Sequence, residues 1–253
     1  MLAGYDVVKY TLSFSGKQVN RLIQEHQYKH YYSEDTSMRN NSTITEQFGF
    51  YAILTNPIKG YVETTKMLID NGIQFVQLRM KNCSELEICR IAYTLCELTE
   101  GTSTKLIIND FPRIARTCGA DGVHIGQTDM PYDEVREFIG YSKIIGISTH
   151  SPQQTSSAVA LRPDYIGIGP VYPTPTKVIA DPVIGIDGMK EMLSLATIPA
   201  VAIGGIDLTN LREVLEAGAV NFSMVRQLTQ SEDPEKTLGE IKKIYNEYHP
   251  EFY

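Results

Sequence analysis

The chain has 253 residues, of which 42% are apolar and 21% charged, an ordinary globular composition that excludes a collagen-like, coiled-coil or mostly disordered protein. Because α/β barrels often occupy a length of this order as one domain, one large domain can account for most of it. The 23 basic and 30 acidic residues give a net charge of −7, so we expect no nucleic-acid partner.

The N-terminus and the cysteines indicate a cytoplasmic protein. The first 17 residues lack the apolar core of a signal peptide, and no apolar run is long enough to span a membrane. The cysteines have neither C-x-x-C spacing nor paired histidines, so a zinc site or a disulfide framework is poorly supported. We therefore expect small-molecule partners and no membrane partner, and a homo-oligomer remains open.

Residues 1–47 differ from the rest of the chain. They mix Tyr, His, Ser and Asn with little apolar periodicity, which indicates an N-terminal extension of unknown role. Val19, Leu22 and Ile23 fall on one helical face, so a short helix is predicted from about Lys17 to Gln27.

From residue 48 to residue 253, short β-branched runs alternate with amphipathic stretches, which is the pattern of repeated strand–helix units. The predicted strands are Gly49 to Leu54, Gln74 to Arg79, Lys105 to Asn109, Gly122 to Ile125, Ile144 to Ser148, Tyr165 to Gly169, Ala200 to Ile203 and Asn221 to Val225. The predicted helices are Val62 to Asn71, Ser84 to Leu98, Pro112 to Cys118, Tyr132 to Ile139, Pro152 to Leu161, Ile186 to Ala196, Thr209 to Glu216 and Pro234 to Tyr248. These units predict an α/β catalytic domain, a single (β/α)8 TIM barrel. A doubly wound open sheet is the alternative, although no G-x-G-x-x-G follows the first strand.

In such a barrel the active site lies at the carboxyl ends of the strands, so polar residues that follow each apolar run are the candidates. They are Gln77, Arg79, Lys81, Asn109, Asp110, His124, Gln127, Asp129, Ser148, His150, Thr174, Thr176 and Lys177. Gln77, Arg79 and Lys81 alternate along the second strand and can face the barrel interior. Cations that face the interior need an anionic partner or a phosphate-bearing ligand. The alternative interpretation is that this strand lies at the surface and its basic residues are solvated.

Asp110 and Asp129 end two adjacent strands. Two neighbouring carboxylates disfavour joint ionisation unless a cation lies between them, and Mg²⁺ is commonly held by one or two carboxylates together with substrate phosphates. These residues therefore predict a Mg²⁺-diphosphate site. The alternative is that Asp129 caps the helix that follows it.

Two loops are candidates for binding the rest of a ligand. Gly204 and Gly205 follow the seventh strand, where barrels often bind phosphate through backbone N–H groups, although a simple turn explains the pair equally well. The loop at residues 169–177 is rich in proline and threonine and ends in a lysine, which suits a rigid loop that closes over a ligand. The alternative is that this segment is an exposed linker.

His124 and His150 suit either general acid–base chemistry or hydrogen-bonded packing, and packing is the simpler interpretation. The sequence contains no Ser-His-Asp order, no nucleophile elbow and no H-E-x-x-H motif. We therefore expect electrostatic rather than covalent catalysis.

Taken together, these segments resemble the thiamine phosphate synthase family over about residues 48–230. The matching runs are V-Q-L-R-M-K at 76–81, I-N-D at 108–110, A-D-G-V-H-I-G-Q-T-D-M at 120–130, G-I-S-T-H at 146–150, G-P-V-Y-P-T-P-T-K at 169–177 and A-I-G-G-I at 202–206. The resemblance implies a transferase that condenses 4-amino-5-hydroxymethyl-2-methylpyrimidine diphosphate with a thiazole phosphate, giving thiamine phosphate and diphosphate.

The resemblance also implies roles for residues. Asp110 and Asp129 would bind Mg²⁺. The pyrimidine diphosphate would be held by Gln77, Arg79, Lys81, Asn109, Ser148 and Lys177, of which Arg79, Lys81, Ser148 and Lys177 are the expected catalytic residues. The thiazole phosphate would be held by Thr174, Thr176 and Gly205. Val225 and Arg226, after the eighth strand, are further candidates for this site, although they do not match the family pattern. Diphosphate would leave first, and the thiazole nitrogen would then capture the pyrimidine cation without a general base.

One departure from the family pattern follows the eighth strand. The family usually has a small hydroxyl residue there, whereas this chain has Met224, Val225 and Arg226, and the arginine could either strengthen or block the thiazole phosphate site. Two rival functions also stay open, and the second of them is motivated by Arg226 and the N-terminal extension. One is a thiazole isomerase of thiamine biosynthesis, and the other is a non-catalytic barrel that binds a phosphate ligand and regulates the pathway.

Overall fold

The computed structural model describes residues 44–175, 181–250 and 252–253. The helix predicted from Lys17 to Gln27 and two of the predicted site residues, Thr176 and Lys177, lie outside the described residues. In the described part, eight parallel strands close into a barrel in the order of the sequence. The predicted (β/α)8 barrel is confirmed, and the alternative of an open sheet is wrong.

The strands are short and each is followed by at least one helix. The strands are β1 (Gly49–Leu54), β2 (Phe75–Leu78), β3 (Lys105–Asn109), β4 (Gly122–Ile125), β5 (Ile144–Thr149), β6 (Tyr165–Ile168), β7 (Ala200–Ala202) and β8 (Asn221–Met224). The helices are α1 (Tyr61–Asp70), α2 (Glu85–Thr99), α3 (Pro112–Cys118), α4 (Tyr132–Ile139), α5 (Pro152–Leu161), α6 (Gly185–Leu195), α7 (Leu211–Glu216), α8 (Arg226–Thr229) and α9 (Pro234–Tyr248). No described helix is long and apolar enough to cross a membrane.

The predicted boundaries differ from the observed ones at the ends of several elements. Strand β6 ends at Ile168 rather than Gly169, because Pro170 follows and has no N–H for the ladder. Helix α7 begins at Leu211 rather than Thr209, because the Thr209 backbone N–H donates to the Asp207 side chain in a turn. Helix α8 was not predicted, because four residues are too few for a helical period to show.

The strand register brings the carboxyl ends of neighbouring strands to one rim. Leu54 pairs with Leu78, and Leu78 pairs with Ile108. Further along, Asn109 lies beside His124. Residues just beyond these positions therefore meet at the mouth of the barrel, where the loops leave the strands.

The barrel interior is packed with large aromatic and branched side chains that form a cluster separate from the layer between strands and helices. The buried members of this interior cluster are Phe48, Tyr51, Phe75, Ile107, Ile144, Tyr165 and Val201. The Phe48 and Phe75 rings lie 4.5 Å apart. Because side chains alternate along a strand, the intervening residues, such as Ala52 and Val76, pack outward against the helices.

The buried side chain of Asn221 joins the last strand to the first. Its Oδ1 accepts hydrogen bonds from the backbone N–H groups of Phe48, at 2.7 Å, and Gly49, at 3.0 Å. Its Nδ2 donates to the carbonyl oxygens of Glu46, at 2.9 Å, and Ala200, at 3.2 Å. One amide therefore satisfies four backbone groups where the barrel closes.

Candidate active site

A cavity of about 1000 Å³ lies at the mouth of the barrel. It is lined by every predicted site residue that the structure describes. These are Gln77, Arg79, Lys81, Asn109, Asp110, Asp129, Ser148, Thr174, Gly205, Val225 and Arg226, together with His124, Gln127 and His150. The strand order therefore brings together residues that are nearly 150 positions apart in the sequence.

The polar residues of β2 and the loop after it reach from the barrel floor to its rim. Gln77 is buried, and its Nε2 donates to the Tyr51 hydroxyl at 2.9 Å. Arg79 is half-buried, and burial lowers the pKa of its guanidinium while the charge of Asp110 opposes that shift. Lys81 is exposed and pairs with the Asp110 carboxylate. The alternative of a solvated surface strand is wrong, because the side chains at 77 and 79 lie inside the barrel mouth.

Asp110 reaches the rim through an unusual backbone conformation. Its φ is +63°, in the left-handed region that aspartate tolerates better than most residues. Its backbone N–H donates to the His124 carbonyl at 2.8 Å, and the next N–H, of Phe111, donates back to Asn109 at 2.9 Å. This tight bend ends β3 and holds the carboxylate next to Lys81.

Asp129 does not cap helix α4, so that alternative is wrong. Its Oδ2 accepts a hydrogen bond from the Gly126 N–H at 2.6 Å, whereas the residue before α4 is Pro131, which has no capping side chain. Burial raises the pKa of Asp129, and the neighbouring Asp110 carboxylate raises it further, while the Gly126 N–H opposes both. The two carboxylates are therefore close enough to repel each other.

This carboxylate pair fits a magnesium ion. Burial is the main cause of the raised pKa of Asp129, and a divalent cation would remove the repulsion from Asp110 that adds to it. Carboxylate oxygens are ligands that Mg²⁺ prefers. Among the described residues, no group of three or more His, Cys, Asp and Glu side chains is arranged to hold a metal. Two carboxylates alone leave coordination positions for substrate phosphate and water, which is usual for Mg²⁺.

A line of hydrogen-bonded side chains runs through the barrel interior to Ser148. The Ser148 hydroxyl lies 2.8 Å from His124 Nε2, and His124 Nδ1 lies 2.9 Å from the Tyr165 hydroxyl. Burial lowers the pKa of His124 to about 4. Sequence reasoning missed Tyr165 and Tyr51, because an inward-facing tyrosine in an apolar strand is expected to be core.

His150 binds the loop that follows β6. Its Nδ1 donates to the Gly169 carbonyl at 2.6 Å, and its Nε2 lies 3.4 Å from the Asp181 carboxylate. Its backbone N–H donates to the Gln154 side chain at 2.7 Å. This histidine therefore ties β5 to the segments on both sides of the 169–177 loop.

Gly204 and Gly205 are required by the loop packed over them. Their φ angles are +98° and +66°. A Cβ atom on Gly204 would overlap Pro170, and one on Gly205 would lie 2.7 Å from the Pro173 carbonyl oxygen. A simple turn is therefore an insufficient explanation. No described residue accepts a hydrogen bond from the Gly205 N–H, which leaves that group available to a ligand.

The end of β8 completes the cavity wall. Val225 is half-buried, and Arg226 is exposed at the start of α8 and forms no ion pair with the described residues. Ser223 was missed by sequence reasoning. Its hydroxyl is buried, lines the cavity and has no hydrogen-bond partner in the described part of the chain. The signal for Ser223 was a small hydroxyl at an inward-facing strand position, opposite Tyr51 in the register.

Sequence comparisons with known proteins agree on one family. The model of the thiamine monophosphate synthase family matches residues 50–228. The thiamine-phosphate synthase of Lawsonia intracellularis is 40% identical over 196 residues, which are 76% of this chain and 90% of that protein. The one from Caldicellulosiruptor saccharolyticus is 38% identical over 187 residues, covering 74% of this chain and 85% of that protein.

A solved structure agrees in both sequence and fold. The thiamine phosphate pyrophosphorylase of Pyrococcus furiosus is 33% identical and superposes with a TM-score of 0.72, covering 79% of this chain and 96% of that one. The family match, at residues 50–228, spans all eight strands of the barrel that carries the cavity except the first residue of β1. The chain therefore belongs to the thiamine monophosphate synthase family.

Proposed function

We propose that this chain joins a hydroxymethylpyrimidine diphosphate to a thiazole phosphate at the mouth of its barrel, with Mg²⁺ bound to the diphosphate. The relatives are named for thiamine-phosphate synthesis, a transferase reaction, and family membership gives this chain the same activity. One observation carries the Mg²⁺-diphosphate part of the proposal: Lys81, Asp110 and Asp129 meet at one side of the cavity.

The diphosphate half of the site would use carboxylates to hold the metal ion and basic side chains to contact the diphosphate. Asp110 and Asp129 would hold Mg²⁺, which when bound supplies positive charge to the leaving diphosphate. Arg79 and Lys81 line the same cavity and would add two positive charges from the side of β2. Lys177, which lies outside the described residues, would add a third.

The pyrimidine ring would lie deeper in the barrel. Gln77, Asn109 and Ser148 line the cavity below the charged rim, and both amides are buried. An amide and a hydroxyl suit a ring that carries an amino group and ring nitrogens, since they donate and accept hydrogen bonds.

The thiazole phosphate would bind on the opposite side, at the loops after β6, β7 and β8. The Gly205 N–H donates to no described residue, and Arg226 lines the same cavity and forms no ion pair with the described residues. Thr174 and Val225 line the same wall, and Thr176 would join them from outside the described residues. In this proposal Arg226 supports the phosphate site instead of blocking it.

The reaction would proceed by departure of the leaving group. The bond between the pyrimidine methylene carbon and the diphosphate oxygen breaks, and its electron pair leaves with the diphosphate. The lone pair of the thiazole nitrogen then forms the new carbon–nitrogen bond. No proton moves at the reacting carbon, so the chain needs to neutralise the leaving group rather than supply a base.

Two rival functions would use only part of this site. A thiazole isomerase or a regulatory phosphate-binding barrel would need the loops after β7 and β8, but neither would use the pair of carboxylates next to Lys81. The proposed synthase uses both halves of the cavity. Location in the cytoplasm and assembly into a homo-oligomer remain predictions from the sequence.

The test is an assay of the purified chain with both substrates and Mg²⁺, followed by chromatographic detection of thiamine phosphate. We expect Asp110→Asn to lower the rate by about 100-fold or more, since it removes one of two charges that hold the metal. Asp70→Asn is the matched control, because Asp70 is exposed at the end of α1 and does not line the cavity, so its rate should not change.

Several outcomes would contradict the proposal. Undiminished synthesis in excess chelator would reject the role of Mg²⁺. Isomerisation of a thiazole carboxylate phosphate without condensation would support the first rival. Tight thiazole phosphate binding in calorimetry, with no turnover of either substrate, would support the second.

A further inference from the structure

Five side chains form a continuous line of hydrogen bonds inside the barrel, which we call the interior network. Gln77 Nε2 donates to the Tyr51 hydroxyl at 2.9 Å, and that hydroxyl lies 2.8 Å from the Tyr165 hydroxyl. The line continues from Tyr165 to His124 Nδ1 at 2.9 Å and from His124 Nε2 to Ser148 Oγ at 2.8 Å. All five side chains line the cavity, and Gln77 and Ser148 are the two ends of the line.

The donor at one end sets the direction of every hydrogen bond in the line. Gln77 donates to Tyr51, so the Tyr51 proton is free to point to Tyr165 and the Tyr165 proton to His124 Nδ1. The imidazole then carries its own proton on Nε2 and donates to Ser148.

This ordering requires a neutral histidine and protonated phenols, and the environment supplies both. Both ring nitrogens of His124 face hydroxyl oxygens, Tyr165 at Nδ1 and Ser148 at Nε2, and a neutral imidazole satisfies this arrangement with a single ring proton. Burial raises the pKa of Tyr51 and of Tyr165 above the ordinary value for a phenol. Tyr51, Tyr165 and His124 therefore each have one proton to donate along the line.

The tyrosines are fixed in position by the barrel itself. Tyr51 and Tyr165 are fully or almost fully buried, and their rings meet edge to face with centroids 5.7 Å apart. Gly146, the register partner of Tyr165 on β5, leaves the space that the phenol ring occupies, because a Cβ at that position would overlap it. The His124 and Tyr165 rings are stacked at 5.5 Å.

We infer that Tyr51, Tyr165 and His124 are positioning residues that hold Gln77 and Ser148 at opposite hydrogen-bond polarities toward the substrate. Gln77 uses its N–H on Tyr51 and presents its carbonyl oxygen to the cavity as an acceptor. Ser148 accepts from His124 and presents its hydroxyl proton as a donor. This inference rests on the proposed function, in which both residues contact the pyrimidine.

The fixed directions of these hydrogen bonds select ligands by the donor and acceptor groups on the ring edge that faces Gln77 and Ser148. A ring that offers an N–H group to Gln77 and an unprotonated nitrogen to Ser148 satisfies both ends of the network. An aminopyrimidine has both groups, whereas an analogue with a carbonyl in place of the amino group would face the Gln77 oxygen with another acceptor. A site that leaves a buried polar group unpaired rejects such an analogue strongly.

Nuclear magnetic resonance of the ¹⁵N-labelled chain tests the network without any need for activity. Long-range correlation spectra report which ring nitrogen of each histidine carries the proton, and His124→Gln identifies the His124 signals. We expect the His124 proton on Nε2 in the wild type. Tyr165→Phe removes the donor to His124 Nδ1 and also the acceptor of the Tyr51 proton, and in this variant we expect the histidine proton to be shared between both nitrogens. A wild-type proton on Nδ1 would overturn the inference.

Kinetics supply the second readout. Tyr165→Phe should lower kcat/KM for the pyrimidine diphosphate about tenfold, the size of one hydrogen bond between Ser148 and the ring, and leave KM for the thiazole phosphate unchanged. Tyr245→Phe is the matched control, because Tyr245 is equally buried but lies outside the cavity and donates to the Val220 carbonyl. Equal kinetic effects of the two variants would contradict a positioning role.

The two proposals fail in distinguishable ways. If the wild type makes no thiamine phosphate, the proposed function fails, but the tautomer of His124 still tests the interior network. If the wild type is active and Tyr165→Phe changes neither the tautomer nor kcat/KM, the network has no positioning role. Tyr51→Phe, which breaks the line one step earlier, repeats the test should Tyr165→Phe not fold.

Discussion

At the scale of single residues, glycine positions decide what the barrel can contain. Gly146 has no side chain, and this allows the Tyr165 ring to lie inside the barrel beside His124. The sequence shows only a glycine in an apolar strand, which is compatible with a bulge or a close approach. The neighbouring strand identifies the atom that makes glycine necessary.

We therefore expect Gly146→Ala to lower the free energy of unfolding by about 1 to 3 kcal/mol, the usual cost of overpacking a core. Urea unfolding followed by circular dichroism measures the change. Gly239→Ala is the control, because Gly239 is exposed within α9 and a Cβ there meets nothing within 4 Å. That variant should be stabilised by up to about 1 kcal/mol, since alanine favours a helix over glycine. A neutral Gly146→Ala would contradict the packing argument.

The protonation of His124 gives the stability a pH dependence. Its pKa falls from 6.5 to about 4 on folding, so the unfolded chain binds more protons between these values. Stability contributed by the neutral ring is therefore complete above about pH 6.5 and decreases as the pH falls toward 4.

We expect the unfolding free energy of the wild type to fall by up to about 3 kcal/mol more than that of His124→Gln between pH 7 and pH 4. Urea titrations of both proteins at a series of pH values measure the difference, and the variant cancels the contribution of all other groups. Parallel curves for the two proteins would show that His124 does not titrate as described.

At the scale of elements, the loops after β6 and β7 act as one unit. Tyr172 donates its backbone N–H to the Gly204 carbonyl at 2.9 Å, and Val171 donates to the Ile203 carbonyl at the same distance. Gly205 lies against the Pro173 carbonyl and has a positive φ. A side chain at residue 205 must therefore move one loop away from the other.

Gly205→Ala should raise KM for the thiazole phosphate about tenfold or more and change KM for the pyrimidine diphosphate much less. The altered loops belong to the proposed thiazole phosphate half of the cavity. Gly72→Ala is the matched control, because Gly72 has a similar φ of +70° but a Cβ there meets nothing within 4 Å. Steady-state kinetics of both variants with each substrate provide the comparison. Equal changes in the two KM values would contradict the division of the site.

At the scale of the whole molecule, closure of the barrel depends on contacts between its first and last strands. The four hydrogen bonds of Asn221 join β8 to the chain around β1 and to Ala200. Asn221→Ala leaves buried backbone groups unpaired, and we expect it to cost about 3 to 5 kcal/mol. Asn71→Ala, at the half-buried end of α1, loses the bond of its side chain to the Met67 carbonyl at 3.0 Å and should cost about 1 kcal/mol. Thermal or urea unfolding measures the loss of stability in each variant. Equal losses in Asn221→Ala and Asn71→Ala would show that closure of the barrel does not depend on the Asn221 amide.

The elements of the barrel were predictable from the sequence because their signals are local. The alternation of β-branched runs with amphipathic stretches gave the strands and helices to within one or two residues, and the barrel rule then selected Arg79, Lys81, Asp110 and Asp129 as candidates. The family resemblance is confirmed. The roles of these residues stay predictions.

Other features depend on contacts between segments that are distant in the sequence. Whether Asp129 capped a helix or faced Asp110, whether Gly204 and Gly205 formed a turn or supported a loop, and whether Tyr51 and Tyr165 were simple core residues could be decided only in three dimensions. The physical reason is that periodicity reports how each segment is oriented, whereas hydrogen-bond direction, steric overlap and the interaction of two charges depend on which segments meet. The sequence by itself determined the barrel and the candidates at its mouth, and the tertiary structure decided which groups each of them faces.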